Sequence, residues 1–569
     1  MLRDRRFLLV VAVAIGLWVP LARLNWFASH EMGSYVIRTV EWAVESRAGT
    51  VYPRWCPDFY GGYGSPFFVF HGPVVYGLAG FLHATVLNPF GSLKVVMLLA
   101  SILAGVGAYA LVFGETRDRD AALLGAVAYL AAPYRLGDLY ERGDLAEFTC
   151  IAILPVAVAL YRAVAREALP RRAQRLAVAA SVAHAIMIMT HPVMGLWGTF
   201  VIGLVVLISV VRFAARRAIR RALLLAGAMA CAPGLAAVYI VPALVYRGIV
   251  QTPAMVTSFY DPQENWIDFS TLFASSTPEF ARNFLRMGPV LLAAAIVVLL
   301  GLARNPRQAR PALAWMGFGA LLVFLALPQG RAFWAWNSLP LVSFTQFPWR
   351  LLGPAALLAS VALGIGSARA WEGSVLKGPI AIVGAGMLLI VVARPYVSAK
   401  EMPIDMVPLD GETIRQWRLS TTSADEFLPG GAVVPAQPAP ANLVATTDGV
   451  VVEHTSNQGS HLLLVLRANR DSANVGLALH GFPGWVVKTA AGPGGAHAEL
   501  QTDSHGLLRL RLPVAGMYRL RLWFGVSGAE SVGLFLSTCF ALVLGLGLVH
   551  SSRPWPRRLP VNVPHGSAL

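Results

Sequence analysis

The sequence predicts a polytopic α-helical membrane protein of about twelve spans with an external β-sandwich-like domain near its C-terminus, and three observations predict it. Hydrophobic residues make up 56% of the 569 residues and charged residues only 13%, about half the quarter usual in soluble domains. Apolar segments of roughly 20 residues, enough to cross hydrocarbon, recur along most of the chain. The formal net charge of +16 collects in every second loop between them, as expected when Lys and Arg stay on the cytoplasmic side. The basicity is therefore a topological signal, and no nucleic-acid partner is expected.

The first apolar helix, Phe7 to Leu24, follows Arg3, Arg5 and Arg6, so the N-terminus reads as cytoplasmic and the next loop, residues 25–75, as external. Its long apolar run without a small-residue cleavage site speaks against a removable signal peptide. Pro73 to Phe90 is apolar enough to cross, yet counting it would turn every later Arg-rich loop outward; it reads as a re-entrant or interfacial piece that other protein must cover. Spans follow at Leu93 to Phe113, Ala121 to Tyr134, Phe148 to Ala165, Leu176 to Thr190, Gly195 to Val211, Ala222 to Tyr246, Pro289 to Ala303, Ala312 to Leu327, Leu351 to Gly366, Pro379 to Val392 and Ser531 to His550. Arg117 and Arg119, Arg162 to Arg175, Arg212 to Arg221, Arg304 to Arg310, Arg369 with Lys377, and Arg553, Arg557 and Arg558 then share one side.

The long segment from Arg394 to Gly528 changes character. Glu401 to Leu443 is rich in Pro and Gly and reads as extended linker. Val450 to Val452, Leu462 to Leu466, Leu507 to Leu512 and Tyr518 to Phe524 read as short strands. In Leu508-Arg509-Leu510-Arg511-Leu512 and Tyr518-Arg519-Leu520-Arg521-Leu522, apolar and basic residues alternate with the period of a half-buried strand. The expected division is a transmembrane module over residues 1–394 with external loop 25–75, an external linker and β-domain over 395–528, and a final helix with a basic cytoplasmic tail over 529–569. The four cysteines, Cys56, Cys150, Cys231 and Cys539, show no metal-ligand spacing. They read as separate thiols, with a Cys56–Cys150 disulfide as the alternative.

Chemistry is expected where charge meets the mouth of a span. Glu31, in Ser29-His30-Glu31, directly follows the first apolar helix, where an unpaired carboxylate near hydrocarbon costs up to ~3 kcal/mol and needs a partner or a task. On a helix starting near His30, Glu31, Tyr35, Arg38, Trp42 and Glu45 share one face; Glu41 and Glu45 read as solvated. A second cluster, Asp138, Glu141, Arg142, Asp144 and Glu147, sits between two spans. Its carboxylates and Arg142 are placed to meet Glu31 and Arg54 in one pocket, where a carboxylate can serve as base and an arginine can grip phosphate. A third group, Arg331, Trp334, Trp336 and Gln346 before Phe347-Pro348-Trp349-Arg350, offers further phosphate contacts or interfacial anchors. His191 reads as a helix-end residue and His184 as packing. A divalent cation, Mg or Mn, is admitted by the paired acids but not required. No P-loop, GxSxG, HExxH or dinucleotide fingerprint is present.

Together, Ser29-His30-Glu31, Tyr52-Pro53-Arg54-Trp55, Gly61 to Pro66, Arg142 to Glu147, Phe347-Pro348-Trp349-Arg350, Glu426-Phe427-Leu428-Pro429 and Phe482-Pro483-Gly484-Trp485 resemble bacterial membrane proteins of the "6-pyruvoyl-tetrahydropterin synthase related" group. The chain has no pterin-enzyme zinc histidines. That group is similar in plan to the GT-C glycosyltransferase superfamily, whose members carry an acidic residue in the first external loop, a second acidic loop and many spans. The placement of Arg puts both termini on the cytoplasmic side, and the resemblance implies a GT-C-like fold and an inverting glycosyltransferase of the bacterial cytoplasmic (inner) membrane. It takes a sugar from a polyprenyl-phosphate carrier to a glycan, lipid or protein acceptor at the outer face. Glu31, Asp138, Glu141 and Asp144 become the catalytic candidates, and His30, Arg54, Arg142, Glu147, Arg331 and Arg350 the substrate- and phosphate-binding ones. The rival readings are a transporter or flippase of lipid-linked sugars and a non-catalytic envelope assembly protein.

Overall fold

The fold was analysed in a computed structural model that describes residues 4–251, 260–273, 285–334, 344–394, 397, 401–402, 409–420, 422 and 425–552. Arg3, Trp336, Arg553, Arg557 and Arg558 lie outside the described residues. Among those described, fifteen helices have ten residues or more. In chain order they are α1 (Arg5–Arg23), α2 (Met32–Arg47), α3 (Pro73–Thr85), α4 (Pro89–Thr116), α5 (Arg119–Leu130), α6 (Leu145–Arg166), α7 (Pro170–Ile188) and α8 (Pro192–Ala215). There follow α9 (Ile219–Leu235), α10 (Ala237–Tyr246), α11 (Gly288–Arg304), α12 (Pro306–Ala326), α13 (Leu352–Ala370), α14 (Lys377–Met387) and α15 (Gly528–Ser552).

Each expected span falls on one of these helices except Ala222 to Tyr246, which falls on two, α9 and α10, and fewer are built to cross a membrane alone. Seven are long and apolar enough: α1, α4, α6, α8, α12, α13 with the turn before it, and α15; α9 and α10, bent by 59°, form an eighth if taken as one span. The expectation of about twelve also counted α5, α7, α11 and α14. Helix α5 rises only about 18 Å over its 12 residues, short of the roughly 30 Å of hydrocarbon. Every residue from Ala121 to Leu130 is buried, so neighbouring helices take the place of lipid around it. Helix α13 is apolar all round and buried along its whole length except Arg369, which makes it the central post of the bundle.

The piece Pro73 to Phe90 resolves into a separate short helix. Residues Val86 and Leu87 break it from α4, whose first turn is capped by the Asn88 side chain accepting from Gly91 N–H at 2.7 Å. Helix α3 lies against α2 because Gly77 and Gly80 leave room for Trp42; a Cβ at Gly80 would stand 2.4 Å from the indole. Glu41 and Glu45, expected on a solvated face of α2, are instead 0% and 1% exposed: Glu41 accepts from Asp58 N–H at 3.2 Å in the loop after α2, and Glu45 meets Ser460 of the β-domain. A helix's amphipathic period marks two faces but does not say which protein surface will cover the polar one.

One end of the bundle gathers the basic turns. Arg6 pairs with Asp120 at 2.6 Å, Arg119 with Asp4 at 3.4 Å, Arg162 and Arg166 with Glu115 at 2.7 and 2.8 Å, and Lys377 with Asp118. Helix α1 runs from this end to the other, where the acidic loops meet, and α4 and α6 run back to it.

Among the described residues, eight strands, β1 (Val444–Asp448), β2 (Val450–Gln458), β3 (His461–Ala468), β4 (Ala473–His480), β5 (Trp485–Ala491), β6 (Glu499–Thr502), β7 (Leu507–Leu512) and β8 (Gly516–Phe524), form two antiparallel sheets. Their orders are β1-β4-β7-β6 and β2-β3-β8-β5. Leu462, Leu464, Leu466, Leu508, Leu510, Leu512, Leu520 and Leu522 fill the space between them, as the alternation in β7 and β8 predicts. Strand β4, Ala-Asn-Val-Gly-Leu-Ala-Leu-His, escapes pattern reading because it carries Gly476 and is buried on both faces toward its end. The sandwich is fastened to the bundle at several points. Trp55 stacks on Phe524 and meets Trp485 edge-on, with centroids 5.0 and 5.2 Å apart. Glu45 accepts from Ser460 N–H at 2.6 Å and Ser460 Oγ–H at 2.7 Å. All four cysteines are free thiols.

Candidate active site

At the end opposite the basic turns lies a cavity of about 550 Å³. Its wall begins where two loops pair through their backbones: His30 N–H donates to Glu141 C=O at 3.1 Å and Glu31 N–H to Arg142 C=O at 2.8 Å. Gly143 allows this approach. Its φ is +70°, and a Cβ there would stand 2.2 Å from Ser29 Oγ. Ser29 Oγ in turn accepts from Met32 N–H at 3.1 Å in the first turn of α2. Arg142 closes a single π turn, Asp138–Arg142, an irregularity that commonly marks functional sites.

Asp144 caps α6. Its Oδ1 accepts from Glu147 N–H at 3.0 Å and from the Tyr35 hydroxyl at 2.7 Å. Its Oδ2 faces Arg142 at 3.4 Å, His191 Nε2 at 3.7 Å and Arg350 at 4.0 Å. Glu147, behind it, is held by Arg142 at 3.2 Å, by Arg350 at 3.1 Å and by the Tyr134 hydroxyl. Arg350, on the turn Pro348–Leu351 that opens α13, also donates to Gln346 Oε1 at 2.9 Å and Thr345 C=O at 3.1 Å. Arg142 lies over the Trp349 ring at 4.8 Å. Arg38 lies over Phe67 at 4.7 Å and Tyr35 at 5.3 Å and donates to the Tyr76 hydroxyl at 3.1 Å.

Two of the cavity carboxyls, Glu31 and Asp144, are driven apart electrostatically. Burial, with the Asp144 charge beside it, raises the Glu31 carboxyl above the usual range, against the pull of Arg142, Arg38 and Arg350. Burial also acts to raise Asp144, but the hydrogen bond and charge of His191 with Arg142 and Arg350 hold it well below the usual range. Asp144 is thus a fixed anion and Glu31 the group poised to take a proton. His71, stacked on Phe67 at 3.8 Å, is held neutral by burial and by the nearby Arg38 and His191.

Of the residues proposed from sequence, His30, Glu31, Arg142, Asp144 and Arg350 line the cavity. Glu147 and Asp138 do not; both stand behind as countercharges, Asp138 pairing with Arg142. Glu141 contributes its backbone carbonyl to the loop pair and is not among the lining residues. Arg54, expected beside Glu31, is elsewhere: it pairs with Glu530 at 2.9 Å and donates to Gly525 C=O at 3.1 Å, joining the first loop to the start of α15. Arg331 is exposed at the start of a short helix. The pattern reading of a site omitted His71, Tyr76 and His191. His191 is a helix-end residue as expected, capping α8 through Nδ1 with Met194 N–H at 3.0 Å, and it also lines the cavity. His-Pro at the head of an apolar run was the available signal. Glu426, on the linker, lines the cavity, while the adjoining Phe427 stacks on Phe70 and meets Phe67, bringing the chain over the mouth.

Asp144, Glu147 and His191 bring ligand-type atoms within 4.8 Å of one another. The donor set does not fit an ion as folded. His191 Nδ1 accepts the capping N–H, so in the neutral ring the hydrogen is on Nε2, the atom a metal would need. The carboxylates are occupied by two guanidinium groups, two tyrosine hydroxyls and a backbone N–H.

A search of curated proteins finds no match by sequence. Among solved structures the chain is similar to the Archaeoglobus fulgidus oligosaccharyltransferase in the apo form, at 13% identity and TM-score 0.43, over 74% of this chain and 61% of that one. It is also similar to ArnT from Cupriavidus metallidurans bound to undecaprenyl phosphate, at 15% identity and TM-score 0.30, over 63% of this chain and 77% of that one. The arabinosyltransferase EmbB from Mycobacterium smegmatis matches at 11% identity and TM-score 0.31, over 92% of this chain and 63% of that one. The chain spans about 61% of the length of the oligosaccharyltransferase. The model of the 6-pyruvoyl-tetrahydropterin synthase related domain, described as a membrane protein, matches residues 68–399. With more than half of its length matched, the chain belongs to the 6-pyruvoyl-tetrahydropterin synthase related family of membrane proteins.

Proposed function

We propose that the chain is an inverting glycosyltransferase of the bacterial inner membrane that moves a sugar from a polyprenyl-phosphate carrier to an acceptor hydroxyl at the outer face. The observation that carries this reading is the pairing of an elevated carboxyl, Glu31, with a permanently ionised one, Asp144, in a cavity also lined by Arg38, Arg142 and Arg350. Guanidinium groups suit a phosphate, which they can grip through two parallel hydrogen bonds. Trp349, Tyr76 and Phe347 also line the cavity, where aromatic carbon suits the sugar or the first part of the isoprenoid.

The acceptor oxygen attacks the anomeric carbon while the bond from that carbon to the phosphate oxygen breaks, its electron pair leaving with the phosphate. The acceptor proton passes to a Glu31 oxygen. Phosphate is a good leaving group, so positioning and the fixed positive charges supply the stabilisation, and no strong general acid is needed. Asp144, anchored by Tyr35 and His191, keeps the arginines oriented and keeps Glu31 basic.

The test is consumption of a panel of polyprenyl-phosphate sugars by the chain in lipid nanodiscs, read by mass spectrometry of the carrier. Wild type should consume one donor, and Glu31→Gln should lose ~10²–10⁴-fold of that rate while keeping its thermal unfolding profile. A Glu31→Gln variant as active as wild type would overturn the reading. Movement of intact lipid-linked sugar across the bilayer would favour a flippase instead.

A further inference from the structure

The two sheets of the sandwich treat their outward cations differently. On β1-β4-β7-β6, Arg511 lies opposite Glu499 and pairs with it at 3.6 Å. On β2-β3-β8-β5, Arg521 lies directly opposite Lys488, a cross-strand arrangement of like charges that costs stability. Arg519, two residues along β8, is exposed on the same face, since Leu520 and Leu522 point inward. The only carboxylate within these four strands, Glu453, is taken by Arg467 at 2.7 Å. Among the described residues, no ion pair or side-chain hydrogen bond involves Arg519, Arg521 or Lys488.

We propose that this face is a docking surface for an anionic polysaccharide. Two cations lie about 7 Å apart along the strand and a third about 5 Å across, close enough for their fields to add within the screening length of ~8 Å in physiological salt. Trp523, half-buried, lies on the same face one step beyond Arg521, opposite His461, and an aromatic ring beside cations suits a sugar ring bearing a carboxylate or sulfate. The row leads away from Gly528, where the final helix begins: Trp523 precedes it by five positions, Arg521 by seven and Arg519 by nine. A flat layer of lipid headgroups would need the cations at one level, beside that entry, whereas a polymer can follow the strand.

The experiment uses the full chain in phosphatidylcholine nanodiscs, with biolayer interferometry against polygalacturonate, neutral dextran of equal length, and vesicles containing phosphatidylglycerol. Polygalacturonate should bind, dextran should not, and the affinity should fall as salt is raised. The triple variant R519S/R521S/K488S should lose at least tenfold, with its unfolding temperature maintained or raised because a like-charge opposition is gone. Arg509→Ser, on the other sheet, serves as the control and should bind as wild type does. Equal binding by the triple variant, equal binding of dextran, or binding to the anionic vesicles alone would overturn the proposal.

Discussion

Glu31 and Asp144 are both buried carboxyls beside the same arginines, yet they are driven in opposite directions because their remaining neighbours differ. Asp144 takes donors from Tyr35, Glu147 N–H and His191, whereas Glu31 meets the Asp144 anion. If Glu31 is the proton acceptor, it must be ionised to act. The transfer rate, measured as kcat/KM against pH, should then fall on acidification with a midpoint above the ordinary 4.5 of a glutamate, and Glu31→Asp should move that limb. His191 tests the role of metal at the same scale. Since its Nδ1 is committed to capping α8, treatment with a chelator should leave turnover unchanged. Loss of activity that added manganese restores would show that the ring turns and gives up its cap. The charged residues at span mouths were legible as candidates because charge beside hydrocarbon is conspicuous in any sequence. Which of them face the cavity was not, because Arg54 differs from Arg350 only in partners supplied by distant segments, Glu530 for the one and Glu147 for the other.

At the scale of elements, the site depends on one backbone crossing, the pairing of the turn before α2 with the turn before α6. Gly143 sits at that crossing with φ +70° and Ser29 Oγ in the space of a Cβ. Gly143→Ala should destabilise by roughly 1–3 kcal/mol, from left-handed strain and the clash, seen as a lower unfolding temperature. Ser29→Gly in the same chain should recover the steric part and leave the backbone part. An unchanged unfolding temperature for Gly143→Ala would mean that the two turns are not held together in this way. Helix positions were legible at this scale, since every expected span falls on one helix or, for Ala222 to Tyr246, on two. The number able to span alone was not, because a short helix such as α5 is sustained by the helices around it rather than by its own length.

For the molecule as a whole, the β-domain is joined to the bundle through a titratable contact. Glu45 of α2 accepts from Ser460 at the β2–β3 turn and from Thr50 at 3.1 Å, and burial pushes its carboxyl up to about 7. The folded state therefore holds the Glu45 proton more tightly than the unfolded chain, where the value is near 4.5. The contribution is fully present below pH 4.5 and is lost as pH rises toward and through 7. Thermal unfolding should show a decline across that window, and Glu45→Gln should flatten it. An identical decline in the variant would place the titrating group elsewhere. Hydrophobic content, the alternation of basic loops, the strand period of β7 and β8, and a carboxylate at the mouth of the first span are properties of neighbouring residues, so the chain carries them in its linear order. The countercharges of Arg350, the removal of Arg54 from the cavity and the burial of Glu41 and Glu45 arise between residues far apart in the chain. They follow from packing, because the cost of burying a charge is set by whatever the fold brings against it.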